Sequence, residues 1–223
     1  MTFAFYYAIF FETDIINNFI VFEGGDGSGT TTQLSMLEAM IKREYGGKLP
    51  FFSTCEPTDG QIGRLIRAVL KNELPVKPHT LAMLFSADRN EHLYGKDGIL
   101  EHVNNGFFTA CDRFALSSLV YQGIDCGDDL PDLINWRYPA PEVTIFLDIE
   151  PEIALERIKD RSSLEIYEYL GFQEKVRSRY KLMIEKYRAA GAKVEIIDAS
   201  KTAYEVADQV WSILFQLPIF KIR

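Results

Sequence analysis

Cysteine is scarce in this chain of 223 residues, which contains Cys55, Cys111 and Cys126. An odd number of cysteines without zinc-binding spacing is not typical of a disulfide framework or of a structural metal site. The composition therefore predicts three reduced thiols in a cytosolic protein.

Positive charge is also in short supply. The chain has 24 lysines and arginines against 32 aspartates and glutamates, which gives a formal net charge of -8. This balance argues against a broad basic surface for duplex DNA or RNA, so no nucleic-acid partner is expected. Any phosphate site must instead be built locally, from a few arginines and backbone amides.

A long hydrophobic run is missing as well. Met1 to Phe11 is almost entirely apolar, but a membrane span needs about 20 such residues. A signal peptide would need a basic N-terminal region, which is absent here. We therefore expect no membrane partner, and we interpret residues 1–17 as an N-terminal extension of unknown role. An extra edge strand, a packed arm and residues upstream of the true start codon all remain open for it.

The remainder of the chain alternates short apolar runs with helical patterns. Hydrophobic residues make up 47% of the chain and charged residues 25%, which is ordinary for a soluble globular protein. Five strands alternating with helices predict one α/β domain over residues 18–223, with a five-stranded parallel sheet and helices on both faces. The apolar runs begin near residues 19, 49, 107, 142 and 193. The irregular stretch near residues 160–172 is the best candidate for a lid.

The stretch from residue 19 to residue 33 organises the chain. An apolar run breaks there into four glycines within six residues, and Leu34, Leu37 and Ile41 follow at helical spacing. Glycines let backbone N–H groups turn inward on an anion, and the helix N-terminus behind them adds roughly half a positive charge. The pattern predicts a nucleoside polyphosphate site formed by Gly24, Gly25, Asp26, Gly27, Ser28, Gly29, Thr30 and Thr31.

One position departs from the usual phosphate loop. The pattern G-x-x-x-x-G-K-[ST] places a lysine where this chain has Thr30, whereas the hydroxyl expected to bind Mg²⁺ is retained as Thr31. On this stretch alone, a glycine-rich turn with no ligand remains an alternative.

Charged residues near two other elements suggest a binding site. Asp112 and Arg113 follow the third apolar run, and charge at the end of a buried strand is costly unless it has a function. Asp88 and Arg89 lie beside Phe85 on a predicted helix at residues 78–94. From that helix alone, a core phenylalanine next to a surface pair is the favoured interpretation.

These motifs together resemble the thymidylate kinase family, from about residue 18 to residue 214. The resemblance is carried by several spaced stretches in order: Phe22-Glu23-Gly24 with Asp26-Gly27-Ser28-Gly29, Glu56-Pro57 with Ile62-Gly63, Leu84-Phe85-Ser86-Ala87-Asp88-Arg89, Asp112-Arg113-Phe114 with Ser117-Ser118 and Tyr121-Gln122-Gly123, Thr144-Ile145-Phe146-Leu147-Asp148, and Asp198-Ala199-Ser200.

The resemblance implies a P-loop nucleoside monophosphate kinase fold and a reaction. Such an enzyme would transfer the γ-phosphoryl group of ATP to dTMP, with Mg²⁺, giving dTDP and ADP. It would be cytoplasmic and homodimeric. Leu81, Leu84 and Leu119 could lie partly at a dimer interface, although packing in the monomer core is the favoured interpretation for them.

The family pattern also implies roles for the acceptor site. Phe85 would stack on the thymine ring, and Arg89 would donate to a base carbonyl. Ser118 and Tyr121 would line the nucleoside site, where the Tyr121 ring could exclude a 2′-hydroxyl. Gln122 would add a polar contact.

Four further residues would act on the phosphates. Arg113 would hold the acceptor phosphate, and Asp26 would lie near the sugar and the transferring group. Asp112 would orient Arg113 or reach the metal. Glu56, in the Glu-Pro motif, is assigned to the substrate site.

The chain departs from the family in its cations. Thr30 replaces the loop lysine, Cys55 replaces an arginine before the Glu-Pro motif, and Ile166 stands where many bacterial members have a lid arginine. Phosphoryl transfer depends on positive charge around the moving group. The cations that remain are Arg113, Arg89, Arg157 and Arg161.

We hypothesise a working enzyme in which Arg161 replaces the lysine, so that Asp26, Arg113 and Arg161 form the catalytic set. One rival is a nucleotide-binding protein that has lost transfer activity. A second is a kinase of the same fold that acts on another nucleoside monophosphate or on a deoxynucleoside.

Overall fold

Five parallel strands form the centre of the protein. The computed structural model describes residues 14–135, 137–160 and 165–221. The strands are β1 (Ile15–Gly24), β2 (Phe51–Cys55), β3 (Phe108–Asp112), β4 (Ala140–Asp148) and β5 (Val194–Asp198). They lie in the order β2-β3-β1-β4-β5, and all neighbouring pairs are parallel. The predicted sheet is confirmed.

Helices connect the strands. They are α1 (Thr30–Tyr45), α2 (Gln61–Leu70), α3 (Pro78–Tyr94), α4 (Ile99–Asn104), α5 (Ala115–Cys126), α6 (Asp129–Asn135), α7 (Pro151–Ile158), α8 (Leu170–Ala189) and α9 (Ala203–Leu214), and a 3₁₀ turn spans Pro218–Lys221. The sequence did not predict α4 and α6, because both are too short to show a helical repeat. In the described ranges, no helix is long and apolar enough to cross a membrane.

Both faces of β1 are buried, which explains its continuous apolar run. Ile20 and Phe22 pack on one face with Leu37 of α1 and Val210 of α9. Val21 points to the opposite face, where it belongs to a second cluster with residues of α3 and α4. Successive side chains of a strand point to opposite faces, so a central parallel strand needs apolar residues at every position.

The first strand begins earlier than the sequence pattern indicated. Ile15 already belongs to β1, and the pairing with β4 shifts register between Ile16 and Ile20. Asn18 has a φ of 61°, and its backbone N–H donates to the Glu142 carboxylate at 2.7 Å. Part of the segment assigned to an N-terminal extension is therefore sheet, whereas residues 1–13 lie outside the described part of the chain.

The helical leucines proposed for a dimer interface lie mainly in the monomer core. Leu81 and Leu119 are 3% and 7% exposed and belong to one cluster with residues of α2 and α8. Leu84 is half-buried against the same cluster. The favoured interpretation, monomer core packing, agrees with this geometry.

Three strand ends meet at one edge of the sheet. Gly24 ends β1, Cys55 ends β2 and Asp112 ends β3, with Cys55 and Phe22 both in register with Asp112. The neighbours of β1 lead away in opposite directions along the sheet, which opens a crevice at the carboxyl ends of the strands. The glycine-rich loop after β1 therefore lies beside Asp112.

Two glycines of this loop have positive φ, but only one of them is packed closely against a neighbouring helix. Gly27 has a φ of 81°, and a Cβ added there would lie 2.2 Å from the Ala154 carbonyl oxygen of α7. Gly29 has a φ of 97°, but an added Cβ would have no neighbour within 4 Å.

Alanine at these two positions should separate backbone strain from steric conflict. Gly29→Ala should lose about 1–2 kcal/mol from the left-handed backbone alone, which corresponds to a Tm decrease of about 2–8 °C. Gly27→Ala should lower Tm by clearly more, because α7 must also move. Thermal unfolding followed by circular dichroism measures both. Equal Tm values for the two variants would contradict the packing of the loop against α7.

Candidate functional site

The glycine-rich loop connects β1 to α1 and leaves backbone donors available. The Ser28 N–H donates to the Gly25 carbonyl oxygen at 3.1 Å, which closes a tight turn. Helix α1 begins after Gly29 without a side-chain cap. The first N–H groups of a helix have no partner inside the helix, so an uncapped N-terminus behind a glycine turn suits an anion.

Thr31 faces the end of β3 across the crevice. Its Oγ1 donates to Asp112 Oδ2 at 2.6 Å. The other carboxylate oxygen of Asp112 is buried and has no hydrogen-bond partner within the described residues. Hydroxyl and carboxylate oxygens are hard donors of the kind that Mg²⁺ prefers. The pair therefore fits a magnesium ion.

An ion pair joins the phosphate loop to the residue after β3. Arg113 Nη2 lies 2.6 Å from Asp26 Oδ1. The Arg113 backbone has a φ of 70°, a conformation that is unfavourable for a non-glycine residue, and its N–H donates to the Phe22 carbonyl oxygen at 2.8 Å. This strained backbone turns the arginine side chain back towards the loop.

The buried carboxylate of Glu23 lies near Arg113 and interacts with it electrostatically. Glu23 is 0% exposed and accepts hydrogen bonds from the N–H groups of Phe114 and Ser117, from the Ser117 hydroxyl and from the Tyr180 hydroxyl. Burial raises the pKa of Glu23, although these donors and the nearby Arg113 oppose the shift. The network fixes the start of α5 and therefore the direction in which Arg113 leaves the chain.

On the other side of the crevice, Arg89 is held by a polar network inside the protein. It is 1% exposed, and its Nη2 lies 2.7 Å from Glu56 Oε2 and donates to Ser118 Oγ at 2.9 Å. Its Nη1 donates to Asn135 Oδ1 of α6. His92 Nδ1 lies 3.1 Å from Glu56 Oε1. The Arg89 guanidinium therefore cannot rotate without breaking hydrogen bonds of this network.

The interpretation of Asp88 and Arg89 as a surface pair is wrong. Both residues are buried, and they make separate contacts. The Asp88 carboxylate accepts from the backbone N–H and the hydroxyl of Thr58, at 2.7 and 2.6 Å. Two adjacent charged residues of one helix are both buried because each has its own partners in a different element.

Tyr121 lies under Arg113. The Arg113 guanidinium is 5.1 Å from the centroid of the Tyr121 ring, within the range of a cation–π contact. Burial raises the pKa of Tyr121. The hydroxyl is buried, and Arg113 and Gln173 are its polar neighbours. It therefore stays neutral at the bottom of the crevice.

The crevice has a volume of about 1040 Å³ and brings together nearly all predicted site residues. Those that line it are Gly25, Asp26, Gly27, Ser28, Gly29, Thr30, Thr31, Glu56, Phe85, Arg89, Asp112, Arg113, Ser118, Tyr121 and Gln122. Gly24 lies just behind the loop, where an added Cβ would be 2.3 Å from Ser28 Oγ. Arg161 falls outside the described residues.

The predicted lid is described only in part. Residues 161–164 lie outside the described ranges, and Glu165 begins the next one. The Ile166 N–H donates to the Leu70 carbonyl oxygen at 3.0 Å, and the Tyr167 ring stacks on Phe172 with centroids 4.6 Å apart. This side of the segment is therefore anchored to α2 and α8.

Sequence reasoning missed one residue that lines the crevice and two that hold its side chains. Arg67 of α2 reaches the position where an arginine was expected in place of Cys55, with its Nη2 3.7 Å from Cys55 Sγ. Asn135 holds Arg89, and Gln173 of α8 holds Asp26. Arg67 could have been found from the sequence, because it lies on the helix that directly follows the Glu-Pro motif. The other two are far from their partners in sequence, so no local pattern pointed to them.

Comparisons with known proteins agree on one family. The family model described as Thymidylate kinase matches residues 22–210. A relative from Treponema pallidum named "Putative thymidylate kinase" is 41% identical over 186 residues, 83% of this chain and 88% of the relative. A "Probable thymidylate kinase" of Pyrobaculum aerophilum is 39% identical over 204 residues, 91% of this chain and 99% of the relative. A "Thymidylate kinase" of Anoxybacillus flavithermus is 30% identical over 210 residues, 88% and 95% of the two chains.

Proposed function

The chain belongs to the thymidylate kinase family, and we propose that it transfers the γ-phosphoryl group of ATP to dTMP, giving ADP and dTDP. The observation that carries this function is the crevice itself. It joins a phosphate loop to a buried aromatic and arginine pocket, with the Asp26–Arg113 ion pair between them. Such a site can align a donor and an acceptor nucleotide for in-line transfer.

The donor phosphates would lie on the uncapped start of α1. Backbone N–H groups of the loop other than those of Asp26 and Ser28, which already have partners, would bind them. The Thr30 hydroxyl stands where a lysine is usual. Thr31 and Asp112 would hold Mg²⁺, consistent with the unpartnered Asp112 oxygen. Bound there with ATP, the metal ion would offset part of the negative charge of the phosphates.

The acceptor nucleotide would lie on the α3 side. Phe85 would stack on the thymine ring. Arg89 would donate to the base from an N–H group that the network leaves free. Ser118, Tyr121 and Gln122 would surround the nucleoside, and Arg113 would hold the acceptor phosphate. The network from Glu56 and Asn135 supports this assignment because it fixes the Arg89 guanidinium in one orientation.

Arg67 would supply the positive charge that Cys55 lacks. Its guanidinium is only partly exposed, it lines the crevice, and it also donates to the Pro57 carbonyl oxygen. A guanidinium at this end of the crevice would meet the acceptor phosphate from the side opposite Arg113. Arg161, which lies outside the described residues, would then act on the donor phosphates in place of the loop lysine.

We also propose a cytoplasmic homodimer. The three thiols agree with a reducing compartment, because Cys55, Cys111 and Cys126 are all free.

A coupled ADP-release assay with ATP, Mg²⁺ and dTMP tests the reaction. Wild type should release ADP only when dTMP is present, and Arg113→Ala should lower kcat by about 10²–10³-fold, because it removes a fixed donor to the moving charge. Thr30→Lys, which restores the usual loop residue, is the matched gain-of-charge variant. No turnover in wild type, but turnover in Thr30→Lys, would identify a nucleotide-binding protein instead.

Arg67→Ala should weaken binding of the acceptor. Loss of one charge-assisted contact costs about 1.5–3 kcal/mol, which predicts a KM for dTMP about 10- to 100-fold higher. Cys55→Arg introduced into Arg67→Ala should recover part of this loss. Arg64→Ala is the control, since Arg64 lies on the same helix and contacts the Asp59 carbonyl oxygen. An unchanged KM for dTMP in Arg67→Ala would contradict the role of Arg67.

A further inference from the structure

We propose that Gln173 is a positioning residue that holds Asp26, and through it Arg113, in the geometry needed for phosphoryl transfer. The inference rests on the proposed function and adds to it a residue that neither the sequence motifs nor the family resemblance indicated. Gln173 lies in the first turn of α8 and is 2% exposed.

The side-chain amide of Gln173 binds Asp26 at two points. Its Nε2 donates to Asp26 Oδ2 at 2.6 Å, and its Oε1 accepts from the Asp26 backbone N–H at 3.1 Å. The same nitrogen donates to the Tyr167 carbonyl oxygen at 3.0 Å. Both N–H groups of the amide and its oxygen therefore have partners, which leaves one orientation for the side chain.

The packing around Gly25 agrees with a fixed amide. A Cβ added to Gly25 would lie 2.9 Å from Gln173 Oε1, closer than ordinary van der Waals contact. Glycine at this position therefore lets the amide approach the loop backbone closely. The loop glycine and the glutamine of α8 form one packed unit, although 147 residues separate Asp26 from Gln173.

Each carboxylate oxygen of Asp26 has a different partner. Oδ2 accepts from Gln173, and Oδ1 accepts from Arg113 Nη2 at 2.6 Å. A neutral amide orients the carboxylate without adding a second positive charge that would compete with Arg113. Because the loop lacks the usual lysine, a displacement of Arg113 would misplace one of the few positive side chains that line the crevice. A misplacement of about 1 Å can lower a rate by about 10²-fold.

The contact with Tyr167 connects this unit to the described part of the predicted lid. Tyr167 precedes α8, and its ring stacks on Phe172. Gln173 therefore contacts both the phosphate loop and Tyr167 in the described part of the predicted lid.

Two variants separate positioning from simple stability. Gln173→Glu retains the size and the acceptor for the Asp26 N–H, but places a second carboxyl group beside Asp26. Its kcat should be about 10- to 100-fold below wild type at pH 8, with KM for ATP and dTMP within about threefold. The ratio of its kcat to that of wild type should rise as pH falls towards 6, because the introduced carboxyl group then becomes protonated and donates.

Gln173→Leu removes the amide and should lower kcat without that pH-dependent recovery. Glu174→Gln is the control, because it changes the charge of the neighbouring exposed residue of α8 and should behave like wild type. A wild-type kcat and pH profile in Gln173→Glu would overturn the positioning role.

Hydrogen–deuterium exchange makes the test independent of turnover. Residues 22–33 should exchange faster in Gln173→Leu than in wild type, and at the wild-type rate in Glu174→Gln. Unchanged exchange in Gln173→Leu would overturn the inference even if wild type had no kinase activity. Absence of dTMP-dependent turnover in wild type, with faster exchange in Gln173→Leu, would instead contradict the proposed function alone.

Discussion

The ion pair between Asp26 and Arg113 connects the phosphate loop after β1 to the acceptor side of the crevice after β3. Parallel pairing of the two strands brings their ends to the same edge, and the left-handed backbone at Arg113 turns its side chain towards the loop. Glu23 supports the arginine from beneath, and Gln173 holds the aspartate from α8. Three elements, β1 with its loop, β3 and α8, therefore converge on two side chains.

The balance of charge around this pair explains why the pair matters. A site that aligns two polyanions needs cations, yet this chain lacks the loop lysine and the arginine before the Glu-Pro motif. Acidic groups lie nearby as well: the pKa of Glu165 is raised by burial and by the neighbouring Asp26 and Glu168. Arg89 is already ion-paired with Glu56. Arg113 and Arg67 also make ion pairs, with Asp26 and Asp59, but unlike Arg89 their guanidiniums are partly exposed in the crevice and can meet phosphate.

The sequence predicted the fold well because the fold follows local rules. Buried parallel strands need continuous apolar runs, and the helices between them show clear periodicity. Where the local signal was weak, prediction was incomplete: α4 and α6 are short, and β1 continues through the irregularity at Asn18 to Ile15. Most residues that the spaced motifs predicted line the crevice, because each motif lies at a strand end or on one helix face.

The contacts that sequence reasoning missed are long-range. Gln173 and Asp26 are 147 residues apart, and Asn135 and Arg89 are 46 apart. Arg89 illustrates the same limit, since helical spacing favoured a surface position and only the packing of α5 and α6 against α3 buries it. Polar networks of this kind depend on how the helices and strands pack together. Residue propensity and hydrophobic periodicity do not reveal that packing.

The most direct test of this account is a double-mutant cycle on kcat/KM for dTMP with Asp26→Asn, Arg113→Lys and the two changes combined. If the ion pair acts as one unit, the losses do not multiply, and the double variant lies within about threefold of the weaker single variant. If the two residues act independently, the losses multiply. That result would contradict the claim that this pair joins the two halves of the site.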